Sequence, residues 1–334
     1  MEELKIDFAS MKEGAVKKVY EELWNENDLP AEVCQTWDSR SSTFSKNSYT
    51  FTVEGIDQKH LTESDEGVLR EGLKKIFKLD AVQDYDEKFH SACFGKGNEY
   101  TEILRLHSSA LCSFLFFSSI SEKNPLTLSI EGKPSIFTTV LFEYKDTVIK
   151  SSAPSCIDIV LVSQDRKTIL FLESKFSEYL SSNEPKISIA YKTEYPELYN
   201  TNFLQKFGFA MKDKDAGYFT IYPTQGKCYS EGIKQLISHY IGLEHFVNND
   251  FCDDRSLPEN AEVYLGEILF DFSFAESKEK LAAYTETYKK VAKELNGLQK
   301  GIHVLSEPLK YSLFKDADFT LSAPIRSFYF GAEN

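Results

Sequence analysis

No two of the six cysteines, Cys34, Cys93, Cys112, Cys156, Cys228 and Cys252, stand at CxxC spacing, which argues against structural zinc. Cys112 and Cys156 sit in apolar runs and read as buried thiols of a reducing compartment. No apolar run approaches the roughly 20 residues that span a bilayer. The opening MEELKIDFAS lacks both the basic and the apolar region of a signal peptide. The expectation is a soluble, cytoplasmic protein without a membrane partner. Walker A, GxGxxG and GxSxG sequences are also missing, which leaves no basis for a nucleotide-driven motor or a serine hydrolase. Basic residues are scarce: 38 Lys and Arg face 52 Asp and Glu, for a net charge of −14. That balance argues against a general nucleic-acid coat, because phosphate contacts need cations. The acidity is uneven, however. Residues 1–90 hold 12 basic and 20 acidic side chains, whereas residues 186–245 hold 7 lysines and 6 acids. A local nucleic-acid surface therefore remains open, and the acidic flanks offer a surface for a protein partner.

What the chain does have is apolar mass, 42% of residues with 14% aromatic, enough for a sizeable core. Residues 1–90 read as a mostly helical N-terminal extension. Val16, Val19, Tyr20, Leu23 and Trp24 recur at helical spacing within 13–25, and Ser64 stands where it can cap a helix running to Phe77. A short strand is expected at 50–53. Residues 91–334 form the second unit. From Gly95 the text GKGNEYTEILRLHSSALCSFLFFSSI predicts one long helix over 99–118. Strands are expected at 135–144 and 261–272, with a turn at Lys145-Asp146 and a return strand beginning at 147–150. Residues 185–200 read as a polar, Tyr-rich loop and 203–211 as a short helix. Helices are expected at 230–246 and 276–296, the latter closed by Gly297. Weaker pieces lie at 302–304 and 319–321. This order predicts an α/β (α+β) fold, a mixed β-sheet core flanked by helices.

The centre of the chain is SCIDIVLVSQDRKTILFLESKFSE, residues 155–178. Two apolar runs flank the polar loop QDRK. If that four-residue loop closes a hairpin, Ser163 faces Thr168, and the same register sets Asp158 opposite Glu173. Directly opposed Cβ atoms lie about 4.5–5.5 Å apart on one face. Lys175, two residues beyond Glu173, projects from the same face. A slip of one residue would scatter the three.

Two carboxylates at that distance repel, so one takes a proton unless a cation neutralises them. A hard cation suits them, and Mg2+ binds through one or two carboxylates, waters and substrate phosphate. Lys175 is then placed to position a water or to stabilise developing charge. The plain alternative, polar ends of a buried hairpin, is costly because Asp158 lies between two isoleucines and Glu173 follows ILFL. Glu99 and Glu102 have two readings. Either acid suits the positive end of a helix dipole, and either can reach a site as an additional metal ligand. His107 and His239 read as hydrogen-bonded helix histidines rather than ligands. Tyr191, Tyr195 and Tyr199 read as packed or exposed loop residues before they read as base-stacking ones.

Asp158, followed after a β-turn by Glu173-Ser174-Lys175, resembles the PD-(D/E)XK nuclease superfamily. Pro154-Ser155-Cys156-Ile157-Asp158 stands where that group has a loosely kept Pro and its first Asp. The segment GNEY resembles the start of the group's first helix, whose glutamate often completes the metal site; Glu99 is the nearer match and Glu102 the reserve. EGIKQLISHY, with Gln235, is similar to the second helix, where some branches carry a Gln that contacts site or substrate and a Tyr four residues on. Here that position is His239, and the Tyr is at 240. The resemblance covers about residues 95–272. It implies a restriction-endonuclease-like fold and a metal-dependent nuclease using Mg2+ (or Mn2+), held by Glu99, Asp158 and Glu173, with Asp158, Glu173 and Lys175 catalytic and Gln235 supporting. DNA is the implied substrate, with RNA left open, in restriction, repair or defence. The rival expectation is a catalytically inactive binding or scaffold protein on the same fold.

Overall fold

The computed structural model describes residues 6–25, 29–39, 41–94, 100, 102–149, 155–181, 184–215, 217–226, 228–248, 257–316 and 319–331. The chain enters through α1 (Ala15–Trp24), which buries Val19, Tyr20, Leu23 and Trp24, the face their spacing predicts. An antiparallel ribbon follows, β1 (Val33–Asp38) and β2 (Thr43–Phe51), where mainly helix was expected. Next come α2 (Glu66–Phe77) and α3 (Tyr85–Phe94). A 3-10 turn, Glu63–Asp65, leads into α2; Thr62 caps that turn, its N–H donating to Asp65 Oδ2 at 2.8 Å, and Asp65 rather than Ser64 is the N-cap residue of α2.

The long helix expected over 99–118 is α4 (Ser109–Phe117) alone. Upstream the apolar spacing continues but the backbone is used differently. Phe51 N–H donates to Leu104 O at 2.9 Å and Leu106 N–H donates to Tyr49 O at 3.0 Å, so β2 takes groups a helix would need. Ser108 Oγ then accepts from Leu111 N–H at 3.2 Å and caps α4. Residues 95–99, Glu99 among them, lie outside the described residues.

The strands β3 (Leu126–Ile130), β4 (Lys133–Asp146), β5 (Ser155–Ser163) and β6 (Thr168–Lys175) follow. The expected turn at Lys145-Asp146 is instead the end of β4, where Asp146 pairs with Ser155; β5 is itself the return strand. An insertion then forms a second, three-stranded sheet from β7 (Ile187–Ser188), β8 (Phe209–Asp213) and β9 (Tyr218–Pro223), with α5 (Ala190–Glu194) and α6 (Thr201–Gln205) between β7 and β8. A loop and a short helix were expected here. The chain continues through α7 (Ser230–Val247), β10 (Glu262–Leu269), α8 (Ala275–Asn296), β11 (Ile302–Val304), β12 (Leu309–Lys310), α9 (Leu313–Asp316) and α10 (Ala323–Phe330).

The main sheet runs β3-β4-β5-β6-β10-β11, with β12 also against β10. Pairs from β3 to β6 are antiparallel, and β10 is parallel to β6, β11 and β12. Helices cover both faces. Phe171 of β6 packs on Phe246 of α7, with ring centroids 5.8 Å apart. On the opposite face Phe142 of β4 packs on Phe114 of α4 at 5.8 Å. A strand covered on both sides reads as a continuous apolar run, which is why IDIVLV and ILFL stood out. The first segments share this core: Trp24 Nε1–H donates to Phe328 O at 3.0 Å, and the rings of Phe51 and Phe77 lie 5.3 and 5.6 Å from that of Phe328. Among the described residues no helix is long and apolar enough to cross a membrane.

Candidate active site

The β5–β6 hairpin has the register its loop length predicts. Ile159 pairs with Leu172, Val160 with Phe171, Leu161 with Leu170 and Val162 with Ile169. Ser163 fixes the turn: its Oγ accepts from the N–H groups of Lys167 (3.2 Å) and Thr168 (2.9 Å) and donates to Asp165 Oδ1 (2.7 Å). Continued by one residue, the ladder sets Asp158 across from Glu173. Alternation puts Asp158, Glu173 and Lys175 on the face of Phe171, under α7. Ser174 points the other way, its hydroxyl 2.8 Å from that of Tyr311. Asp158 is half-buried, while Glu173 and Lys175 are each only 4% exposed.

Glu173 is the hub. Its Oε1 accepts from Lys175 Nζ and from Gln235 Nε2, both at 2.7 Å. Its Oε2 lies 3.2 Å from His239 Nε2. That approach falls outside hydrogen-bond alignment, so it acts as an ion pair. Gln235 and His239 are four residues apart on α7 and therefore share a helix face. The other ring nitrogen, His239 Nδ1, is 3.0 Å from Asp146 Oδ2. From the far side of Glu173, β10 brings Glu267 into register. Glu267 is wholly buried, and Tyr284 of α8 donates its hydroxyl to the carboxylate, 2.9 and 2.7 Å from the two oxygens. Asp158 Oδ2 accepts from the Ser174 N–H at 2.7 Å.

These neighbours divide the acids. Burial, then the charge of Glu173, pushes Asp158 well above the usual carboxylate range. Burial acts the same way on Glu173, but Lys175 and His239 outweigh it and hold Glu173 down to about 2. Burial disfavours the charged forms of Lys175 and His239 too. Glu173 nevertheless raises Lys175, and Asp146 with Glu173 raises His239 to about 10. Burial lifts Glu267 to about 7 against the pull of Lys175.

Asp158 and Glu173 supply two carboxylates on one face, with Glu173 Oε2 and Gln235 Oε1 buried and lacking a hydrogen-bond partner. That oxygen-rich donor set suits a hard cation that keeps several waters. Among the described residues, however, no three His, Cys, Asp or Glu side chains stand where they could hold a metal ion. Glu99, the remaining expected ligand, lies outside the described residues. Glu102 is exposed and pairs with Arg105 at 2.9 Å, in a turn where the expected helix is replaced by backbone bonds to β2.

His107 is half-buried beside Tyr20, its Nδ1 2.8 Å from the Tyr20 hydroxyl, and desolvation of the ring pushes it down to about 4. The tyrosines of the insertion are packed. Tyr195 Oη bonds Val148 O at 2.8 Å, Tyr199 Oη lies 3.2 Å from Ser238 Oγ, and the Tyr191 ring lies 5.2 Å from that of Tyr199. Two residues of the cluster escaped sequence reasoning. Asp146 was assigned to a turn. Glu267 is a lone acid within the apolar run VYLGEILF, the signal that had drawn attention to Glu173. His239 is the hydrogen-bonded helix histidine its sequence suggested, with Asp146 as the partner. Comparison with family models, curated proteins and solved structures finds no match for the chain.

Proposed function

We propose that the chain is a Mg2+- or Mn2+-dependent phosphodiesterase acting on DNA, built on a restriction-endonuclease-like core of the PD-(D/E)XK type. One observation carries this reading: Asp158, Glu173 and Lys175 share one face of the β5–β6 hairpin, and Gln235 reaches Glu173 from the next long helix at 2.7 Å. Placing these charges against a buried apolar hairpin is costly unless they serve a purpose. Asp158 and Glu173 are the residues that would hold the cation, with Glu99 as the third candidate. The bound ion would lower the pKa of a water and neutralise phosphate charge. Lys175 presents three N–H donors, one of them engaged by Glu173, and stabilises a phosphate oxygen or orients the attacking water. Gln235 holds the Glu173 carboxylate in place through its amide N–H. The test is cleavage of single-stranded DNA, duplex DNA and RNA with Mg2+, Mn2+ or EDTA. Metal-dependent cleavage that vanishes in Asp158→Ala, Glu173→Ala and Lys175→Ala supports the reading; absence of cleavage and of metal binding in the wild type overturns it.

A second reading has its own support. Glu173 and Lys175 are 4% exposed, and Glu173 is already matched by Lys175 and His239 in a chain of net charge −14. A binding or scaffold protein on a nuclease-like core, with an inactive site, fits those facts. It predicts that Asp158→Ala changes stability and leaves partner binding intact.

A further inference from the structure

We propose that His239 and Asp146 form a buried positioning pair that fixes the Glu173 carboxylate for metal binding. This rests on the phosphodiesterase reading and adds two residues to it. The geometry is a line, Asp146 Oδ2 to His239 Nδ1 at 3.0 Å and His239 Nε2 to Glu173 Oε2 at 3.2 Å. A carboxylate oxygen only accepts. Asp146 Oδ2 therefore accepts from His239 Nδ1–H, which fixes the orientation of the ring and aims Nε2 at Glu173 Oε2. Asp146, His239 and Glu173 are 3%, 1% and 4% exposed.

Three separate features of the chain bring this line together. First, β4 contains a left-handed residue, Glu143 (φ 50). In a regular strand Phe142 and Tyr144 would share a face. Here Phe142 packs on Phe114 of α4, while Tyr144 packs on Phe171 and on Phe246 of α7. The strand has turned over, and Asp146, two residues on, lands beneath α7. A left-handed non-glycine residue inside a strand costs energy, and such strain gathers at functional sites. Second, α7 has a glycine where Asp146 arrives. A Cβ on Gly242 would lie 2.4 Å from Asp146 Oδ2 and 2.7 Å from its Cβ. Third, His239 follows Gln235 by four residues, so one helix face delivers an amide donor to Glu173 Oε1 and a ring nitrogen to Oε2. With Lys175, three groups from β6 and α7 fix both oxygens of one carboxylate. Partners of this kind orient a ligating group and raise metal affinity 10–100-fold in known sites.

The test uses the full chain and Mn2+ as probe. His239→Ala, His239→Gln and Asp146→Asn are compared with wild type by calorimetric Mn2+ titration, thermal unfolding, and NMR of the imidazole N–H groups in metal-free protein. Expected are a slowly exchanging Nδ1–H signal in the wild type, its loss in Asp146→Asn, and Mn2+ binding weaker by about 10–100-fold in His239→Ala and Asp146→Asn. His239→Gln, which keeps a donor toward Glu173, recovers part of that loss. Folded His239→Ala and Asp146→Asn proteins that bind Mn2+ as wild type does overturn the proposal; if His239→Ala fails to fold, the comparison of His239→Gln and Asp146→Asn with wild type decides it in the same way. Wild-type protein with the Nδ1–H signal but no Mn2+ binding overturns the parent reading, and the positioning role with it. Normal Mn2+ binding without that signal overturns the positioning role alone.

Discussion

Glu267 and Glu173 are register partners across the parallel β6–β10 pair, two buried acids on one face of the sheet. Their neighbours give them opposite fates. Glu173 has Lys175 and His239 and is held down to about 2, whereas Glu267 has the Tyr284 hydroxyl, and burial lifts it to about 7. A folded-state value above the unfolded one means that proton-bound Glu267 favours the folded protein. Its contribution is present in full below the ordinary carboxylate range and is lost as pH rises through about 7. Glu267→Gln therefore flattens the stability profile of the metal-free protein between roughly pH 4 and 7. At pH 8 it is more stable than wild type by on the order of 3 kcal/mol, from ~1.4 kcal/mol per pKa unit. Urea titrations at several pH values measure this.

Asp158 obeys the same sign. Burial and the charge of Glu173 raise it, so its charged form costs stability when no cation is bound. Asp158→Asn is predicted to raise the Tm of the metal-free protein at pH 8. Mn2+ is predicted to stabilise the wild type and leave Asp158→Asn unmoved. Thermal scans with and without Mn2+ give both results.

The Glu173–Lys175 pair responds in the other direction. Both side chains are buried and 2.7 Å apart, so removing one strands the other. Lys175→Met is predicted to cost about 3–5 kcal/mol, measured by denaturant unfolding. Together with the Asp158 result, this separates a residue that stabilises the fold from one that burdens it.

Two glycines of α7 make room for the acids' partners. A Cβ on Gly242 would meet Asp146 Oδ2 at 2.4 Å, and one on Gly232 would meet Tyr284 Oη at 2.2 Å. Gly242→Ala and Gly232→Ala are each predicted to destabilise by about 1–3 kcal/mol. Gly67→Ala in α2, where a Cβ meets nothing within 4 Å, is predicted to stabilise by about 0.5–1 kcal/mol. Calorimetry of the three variants checks size and sign.

The hairpin was legible because its evidence is local. A four-residue polar loop between two apolar runs leaves one register that keeps both runs buried, and Asp158, Glu173 and Lys175 follow from it. Helices α1, α7 and α8 were legible from spacing alone. The 99–118 helix was misjudged because apolar period says nothing of where backbone groups bond, and the ribbon strand β2 claims Leu104 and Leu106. Strands β8 and β9 form a short hairpin, and helix α10 is short and packs on α1, some three hundred residues earlier, through Trp24 and Phe328. Asp146 was hidden for a different reason. Its place beneath α7 depends on the left-handed turn at Glu143, which no pattern of residue types announces. Glu267 could have been read: a single acid in VYLGEILF is as costly as Glu173 after ILFL and asks for the same explanation.

The proposed metal-dependent phosphodiester-cleaving site at Asp158 and Glu173 is tested most directly by a time course of DNA cleavage by the purified chain in Mn2+, with Asp158→Asn run alongside. The prediction is cleavage by the wild type that stops with EDTA, and none above background by Asp158→Asn even though that variant is at least as stable. Equal cleavage by the two proteins, or none by a wild type that also fails to bind Mn2+, would contradict it.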